Sequence, residues 1–379
     1  MVHILGIGLT PFGRHVERTI DHIGGQAVRA ALADAGVSAR EIEGAFVANA
    51  LGAMLLGDTT IGQTILSGLG LRGLPVVNVE NACTSGSTAL WLAWNAIRAG
   101  QMDVALVLGV EKMCVPSLGL IDSGRTAIDT QLGLVTPASF ALRARRHMHE
   151  FGTTHAQMAA VVEKSRRHAL MNPDAMFRRA ETVEQVMAGP SVADPLTRSE
   201  CCPIADGAAA LVLVSDALAR RHGADIRIES VVLRSGDYGN PADLVRWKTD
   251  EETAARAYEM AGRGPESIDI IECHDAFSIA EILHCEALGL CAPGEGGRLA
   301  ASGETALGGR IPVNVSGGLL SRGHPVAATG VAQIVEIATH LRGQAGDRQV
   351  TGARTGLAQC MGGDLAGDTK SCTVAILSR

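Results

Sequence analysis

The sequence predicts an α/β protein of two similar halves with a long segment inserted into the first, and three observations carry this. Short apolar runs alternate with amphipathic stretches of helical period along most of the chain. Two of the runs, Val104–Val110 and Ala208–Val214, hold no polar residue, as in strands buried on both faces of a sheet. The same order of strands and helices recurs after residue 223, which points to an internal duplication in pattern order, without clear residue-level self-similarity.

Taken in order, Val2–Ile7 is the first strand, and Ile20–Ala35 is a helix that stops at Gly36, a residue suited to a left-handed helix end. Gly44–Asn49 and Val76–Val79 are strands, Ser87–Ala99 is a helix closed by Gly100, and Val104–Val110 and Ala208–Val214 complete the first half. In the second half Ile226–Leu233 is a strand, Glu251–Ala261 a helix and Ile268–Glu272 a strand. Phe277–Leu288 is a helix, Ile311–Val315 a strand and Val326–Leu341 a helix, and Val350–Leu357 and Thr373–Leu377 close the chain as strands.

Composition narrows the function. Of 379 residues 46% are hydrophobic and 19% charged, enough apolar surface for a large core and too much for a disordered chain. The net charge of −7 argues against a nucleic-acid partner, since phosphate binding needs a basic surface. No apolar run reaches the roughly 18 residues of a membrane span. The start, MVHILGIGLT, reads as a strand because it lacks the basic region and cleavage site of a signal peptide. The nine cysteines include no Cys-x-x-Cys pair, which argues for a reducing cytoplasm and against a disulfide framework or structural zinc. His147-Met-His149 and Cys273–Cys291 lack ligand spacing, so no metal is expected, and Gly6-Ile-Gly8 lacks the third glycine of a dinucleotide loop.

The inserted segment, Met113–Ile204, differs in composition. It carries amphipathic helices over Phe140–Phe151 and Thr154–Asn172, and clusters at Arg143, Arg145, Arg146 and at Lys164, Arg166, Arg167, Arg178, Arg179. These basic residues either meet an anionic substrate tail or form a solvated helix face with ordinary i,i+4 pairs.

Four segments carry chemistry. In Asn78-Val-Glu-Asn-Ala-Cys83, a strand runs into a cysteine at a helix entrance, where the positive end of the dipole favours a thiolate and small neighbours admit a substrate. Cys273-His274-Asp275-Ala276-Phe277 stands at a second strand-to-helix junction. Asn314-Val-Ser316-Gly317-Gly318 runs on to Gly323-His324-Pro325, where glycines allow close backbone approach and the proline suits a first helical turn. Gln359-Cys360-Met-Gly362-Gly363-Asp364 offers a second thiol in a glycine-rich turn after a strand. Taken alone, each cysteine or histidine is as readily a buried structural residue.

In this order, with Gly109-Val-Glu-Lys-Met113, Asp194-Pro-Leu and Cys202-Pro-Ile-Ala-Asp-Gly, the segments resemble the thiolase family, closest to its sterol-carrier-protein-type branch, over essentially the whole chain. The resemblance implies a thiolase-like fold: two βαβαβαββ halves, each with a five-stranded sheet, layered α/β/α/β/α, with an inserted loop domain. The halves would be 1–112 plus 205–222, and 223–379, with 113–204 as the loop domain that shapes the acyl pocket and covers coenzyme A. It implies a homodimer through the N-terminal halves or a dimer of dimers, coenzyme A as co-substrate with no metal, and, in some relatives, a small companion protein of OB-fold and zinc ribbon. It assigns Cys83 as acyl-carrying nucleophile, His324 as its base and Cys360 as the acid/base for the α-proton. His274 with a water would form the enolate oxyanion hole, and the N–H groups of Cys83 and Gly362 the second hole. Ser316, Gly317, Gly318 and Phe277 would line the substrate and coenzyme A site.

The activity implied is reversible, coenzyme A-dependent cleavage of a 3-oxoacyl-CoA, in a degradative role. A thiolase-fold aldolase acting on a 3-hydroxyacyl-CoA needs no acyl-cysteine, and a non-catalytic lipid carrier needs no nucleophile, so the retained cysteines favour cleavage. The sequence departs from the family at Ala276, where the branch often has its acid/base cysteine, and at Ala327 and Asp364, where glycine is usual. The 3% aromatic content offers no stacking box for a particular acyl group.

Overall fold

A computed structural model describes residues 1–116, 124, 128–238, 243–365 and 367–379; the parts of the predicted insertion at 117–123 and 125–127 lie outside the described residues. The first half contains β1 (Val2–Leu9), α1 (Ile20–Ala35), β2 (Gly44–Ala48), α2 (Gly52–Leu55), α3 (Ile61–Ser67), β3 (Val76–Val79), α4 (Ser85–Arg98) and β4 (Val104–Glu111). The inserted segment carries α5 (Ile128–Gln131), α6 (Thr136–Phe151), α7 (His155–Leu170), α8 (Val183–Met187), β5 (Ser191–Ala193) and β6 (Leu196–Thr197). The chain returns through β7 (Gly207–Ser215) and α9 (Asp216–His222). The second half holds β8 (Ile226–Arg234), α10 (Lys248–Ala261), β9 (Ile270–Glu272), α11 (Ser278–Ala287), α12 (Gly296–Ala301), α13 (Gly318–Arg322), α14 (Val326–Leu341), β10 (Thr355–Leu365) and β11 (Asp368–Ser378).

The strands join in the order β3-β2-β4-β7-β1-β8-β11-β10-β9. The halves meet where Val2, His3 and Ile4 pair with Ile228, Arg227 and Ile226. β2, β3 and β4 are parallel, and β4 is buried along its whole length, as its unbroken apolar run predicts. α1 and α3 cover the outer face of the first half, and α10 packs on the outer face of β8 and β11. α4 and α14 lie between the two halves of the sheet and pack with both. The result is the α/β/α/β/α layering. α14 is buried at nearly every position, which accounts for its apolar sequence all round.

Two expectations are corrected. Ile311–Val315 is not a full strand: it touches β9 through a single bridge, Ile271↔Val313. Pro312 has no N–H for a ladder, and Asn314 turns the chain away at φ 56°. The second correction is at the C-terminal hairpin, where a strand was expected over Val350–Leu357 with a turn after it. β10 instead runs from Thr355 to Leu365, so Cys360, Gly362 and Gly363 sit within a strand paired to β11.

The insertion packs α6 and α7 onto α11, α12 and α13. Three of its basic side chains are buried and ion-paired: Lys164 with Glu281, Arg166 with Glu181 at 3.1 Å, and Arg143 with Asp364 at 3.8 Å. Arg145 and Arg146 are exposed and pair with Asp194 and Glu150. Arg167, Arg178 and Arg179 are exposed.

Glycine sets how close the central helices come. A Cβ on Gly86 of α4 would stand 2.4 Å from the carbonyl oxygen of Ala327, and one on Gly109 of β4 would stand 2.5 Å from the same atom. Both obstacles are backbone of the first turn of α14, which cannot rotate aside. Gly86→Ala is therefore expected to lower stability by about 1–3 kcal/mol through overpacking, read as a fall in the denaturant midpoint. An unchanged midpoint would contradict this close packing.

Candidate active site

Cys83 stands in a tight turn between β3 and α4. Ala82 before it has φ 47°, a left-handed conformation that a residue with a Cβ rarely adopts. A hydrogen-bond network holds it there. The Thr84 and Ser85 N–H groups donate to Asn81 O and Ala82 O, both at 3.1 Å. Ser85 Oγ donates to Ala82 O at 2.6 Å and accepts from Asn81 N–H at 2.7 Å.

The four predicted segments converge on this turn. One donor atom each from Cys83, His274 and His324 lie within 4.8 Å of one another. The rings of His274 and His324 meet edge to face, with centroids 5.0 Å apart. Cys360 Sγ lies 3.4 Å from His274 Nδ1 and 3.2 Å from Cys83 O. A Cβ on Gly362 would stand 3.0 Å from Cys83 N, so β10 lies directly against the turn.

The electrostatics differ from a thiolate at a helix dipole. α4 begins two residues after Cys83, and burial pushes its thiol up to about 12, with the Glu111 carboxylate adding to the rise and the Gly363 N–H opposing it. Burial also pushes Cys360 well above the usual thiol value, with Cys83 contributing. Burial takes His324 down to about 3, helped by the Arg322 cation, and holds His274 well below the ordinary imidazole value, helped by His324 and His284. At neutral pH the cluster is two thiols and two neutral imidazoles. A thiolate on Cys83 therefore requires a base to take the proton as it reacts.

His324 is oriented as such a base. Its Nδ1 lies 2.8 Å from Thr329 Oγ1, and that hydroxyl donates to Pro325 O at 3.1 Å. The hydroxyl hydrogen being used, Oγ1 accepts from Nδ1–H, which leaves the Nε2 lone pair free. One turn of α14 thus sets the tautomer.

A further layer lies beneath. Gln359 Oε1 accepts from His274 N–H at 3.0 Å, and Gln359 Nε2 donates to Asp250 at 3.1 Å. Asp250 also accepts from His284 Nδ1 at 2.5 Å and from the Cys372 thiol at 2.8 Å. Glu111 accepts from the N–H groups of Ala50, Leu51 and Ala327 and from Asn49 Nδ2 at 2.9–3.2 Å, tying the first turn of α14 to β4. Burial raises this carboxyl to about 7 against those donors. Thr329, Gln359, Asp250 and His284 carry no sequence signal beyond the one-turn spacing of Thr329 from His324, because their contacts come from distant segments.

Ser316, Gly317 and Gly318 are buried beside this cluster. Ser316 Oγ donates to Glu272 at 2.6 Å and accepts from Gly318 N–H at 3.1 Å, and Gly317 packs on Ala169 of α7. Phe277 stacks on Phe140 at 4.2 Å, and Phe140 meets Trp247 edge to face at 6.1 Å. Three of the eleven aromatics, Phe140, Phe277 and Trp247, thus form one buried group, in which Phe277 follows His274 closely along the chain. The group draws one ring from each of three distant segments.

Residues 2–217 match the family model "Thiolase, N-terminal domain", and residues 235–379 match "Thiolase C-terminal domain-like". The chain belongs to the thiolase family. It is 40% identical over 356 residues to benzoylsuccinyl-CoA thiolase subunit BbsB of Thauera aromatica, covering 92% of this chain and 91% of that one. It is 38% identical over 368 residues to acetyl-CoA acetyltransferase of Methanothermobacter thermautotrophicus, covering 96% of each. To sterol carrier protein 2 of Bos taurus it is 36% identical over 384 residues, covering 95% of this chain and 70% of that one. Among solved structures it resembles the Ltp2-ChsH2(DUF35) aldolase, with a TM-score of 0.85 and 26% identity over 99% of this chain and 97% of that one. It shares its fold with the Acat5 thiolase of Ascaris suum, with a TM-score of 0.75 and 18% identity over 100% of this chain and 99% of that one.

Within this thiolase-family site, the Thr329 contact has a consequence for the thiol. Thr329→Val removes the acceptor that fixes Nδ1–H, so His324 can reverse its tautomer and withdraw the free lone pair on Nε2. Alkylation of Cys83, followed by mass spectrometry of its peptide, is expected to slow about tenfold, the worth of one buried hydrogen bond. An unchanged rate would contradict the assigned tautomer.

Proposed function

We propose that this protein is a thiolase that cleaves a 3-oxoacyl-CoA, with coenzyme A, into two acyl-CoAs through an acyl group carried on Cys83. The observation that supports this most is the convergence of two thiols and two neutral imidazoles, from four distant segments, in one cluster that is buried apart from the half-buried Cys83. Carbon–carbon cleavage of this type needs a nucleophile to accept the acyl group, a base for it, and a second acid/base with an oxyanion site for the enolate.

In this reading Cys83 attacks the 3-oxo carbon while His324 Nε2 takes its proton. The N–H groups of Cys83 and Gly362 hold the tetrahedral oxyanion. The carbon–carbon bond then breaks to leave acyl-Cys83 and an acyl-CoA enolate. The Cys360 thiol protonates the α-carbon, and His274, with a water, donates to the enolate oxygen. The thiol hydrogen of Cys360 has two acceptors in reach, Cys83 O and His274 Nδ1. Directed at Nδ1, it pairs with a His274 tautomer whose hydrogen is on Nε2, free for that oxygen. Coenzyme A then attacks the acyl-Cys83 carbonyl, its thiol proton passing to the Cys360 thiolate, and the released Cys83 thiolate takes back the proton from His324.

The departure at Ala276 supports Cys360 in the acid/base role, since a methyl group carries no proton. The division into 1–112 with 205–222, 113–204 and 223–379 belongs to the same reading. The insertion then covers coenzyme A, with exposed Arg167, Arg178 and Arg179 facing the phosphates, and Ser316, Gly317, Gly318 and Phe277 bound the acyl-CoA.

The assembly proposed is a homodimer through the first halves. Strand β3 supports it: it is the outermost strand of the sheet, its outer edge is unpaired among the described residues, and Val77 is 41% exposed. A small companion protein of OB-fold and zinc-ribbon type is also proposed, supported by the DUF35 component named with the aldolase and by the subunit status of BbsB. All nine cysteines are free, which supports a reducing cytoplasm. A degradative role belongs to the same reading. The likeness to an aldolase favours a second reading, cleavage of a 3-hydroxyacyl-CoA; it requires no acyl-cysteine and would leave activity intact without Cys83.

Two variants test the mechanism. Cys83→Ser should lose thiolysis by at least about 10³-fold. Cys360→Ala should still accept an acyl group from an acyl-CoA donor yet fail to complete carbon–carbon exchange. Normal turnover in the first variant, or failed acylation in the second, would contradict the assignments.

A further inference from the structure

We propose that the cluster of Cys83, His274, His324 and Cys360 is also a binding site for a thiophilic divalent cation such as Zn2+, and that the metal-bound protein is an inhibited form. Only the word inhibited rests on the thiolase reading; binding of the cation stands apart from it. Sequence spacing gives no sign of such a site, because the four donors come from four separate segments and the fold alone brings them together.

Three of the donors stand near the spacing of a metal centre, and the Cys360 thiol adjoins one of them. With zinc–sulfur bonds of about 2.3 Å and zinc–nitrogen bonds of about 2.0–2.1 Å, a tetrahedron places sulfur about 3.6 Å from nitrogen. Cys360 Sγ and His274 Nδ1 are already 3.4 Å apart. The donors of Cys83, His274 and His324 lie within 4.8 Å of one another, so they must draw in by about 1.5 Å at most.

The donors are oriented as well as near. Thr329 occupies His324 Nδ1 and so leaves Nε2 as the one coordinating atom, the arrangement that an outer hydrogen bond gives a metal-bound imidazole. Gln359 holds the backbone of His274 from beneath, and the Asn81–Ser85 network fixes Cys83.

Charge balance favours the same ion. Binding of Zn2+ releases one proton from each of the two thiols to solvent and forms two sulfur–metal bonds, while both imidazoles stay neutral. The resulting two-thiolate, two-imidazole centre carries no net charge, which suits a buried site where an uncompensated charge is costly. A hard cation such as Mg2+ has no oxygen ligands here and is not expected to bind. Because the metal occupies both sulfurs and the His324 lone pair, it blocks acyl transfer at its first step.

The probe is Co2+ added to the full-length, metal-free protein. The expected result is one equivalent bound, with the intense visible bands of a tetrahedral centre and a thiolate-to-cobalt charge-transfer absorption. Zn2+ should displace it and a chelator should remove it. Cys83→Ser and Cys360→Ala should each weaken the charge-transfer absorption and lower affinity at least tenfold. Thr329→Val should lower affinity about tenfold, as loss of an outer-shell partner does. In turnover assays, Zn2+ should inhibit and chelator should restore the rate.

Weak, six-coordinate cobalt spectra with an affinity unchanged in Cys83→Ser would overturn the proposal, since they describe surface binding. A tetrahedral spectrum in a protein that turns over no acyl-CoA would uphold the metal site while contradicting the thiolase reading. Full turnover unaffected by Zn2+, with no tetrahedral spectrum, would do the reverse.

Discussion

The contact on which the rest depends is the close approach of the first turn of α14 to α4 and β4. Gly86 and Gly109 remove the side chains that would otherwise meet Ala327 O. Glu111 then ties the Ala327 N–H to β4 and the loop after β2. Because His324 and Pro325 lead directly into that turn, the approach carries an imidazole from the second half to the cysteine of the first.

Burial governs the chemistry. It raises both thiols and depresses both imidazoles, so the cluster rests without charge in a site that supplies little solvation. A neutral nucleophile–base pair can wait in the apolar interior without an uncompensated ion, and charge develops only where a substrate carbonyl provides a place for it. The hydrogen bonds beneath the cluster serve that state by orientation. Thr329 sets which nitrogen of His324 is bare, and Gln359 holds His274 beside Cys360.

Much of this was legible in the sequence because period and burial coincide. α1, β3 and α14 lie where their hydrophobic patterns place them. Cys83, His274 and His324 were legible because each follows a strand or precedes a helix among small residues. The hairpin strand carrying Cys360 was misplaced because its glycines read as a turn. They serve instead to bring backbone against Cys83, and a strand buried along most of its length has no alternation to reveal it. The partial fifth strand of the second half failed at Pro312 and Asn314, two residues whose local geometry outweighed an apolar run. The orienting roles of Thr329, Gln359, Asp250 and His284 were invisible because a side chain that orients another across the fold leaves no pattern along the chain. The basic insertion matches the solvated-face alternative only at its exposed arginines, and its buried ion pairs fit neither alternative. Its buried cations anchor it to the second half, while Arg145 and Arg146 form ordinary surface pairs.

The most direct test of the account is intact-protein mass spectrometry after mixing with acetoacetyl-CoA, with and without free coenzyme A. The account predicts a mass gain of one acetyl group, located on the peptide that contains Cys83, and its discharge when coenzyme A is added. Carbon–carbon cleavage of the substrate with no adduct on Cys83 at any time would contradict it.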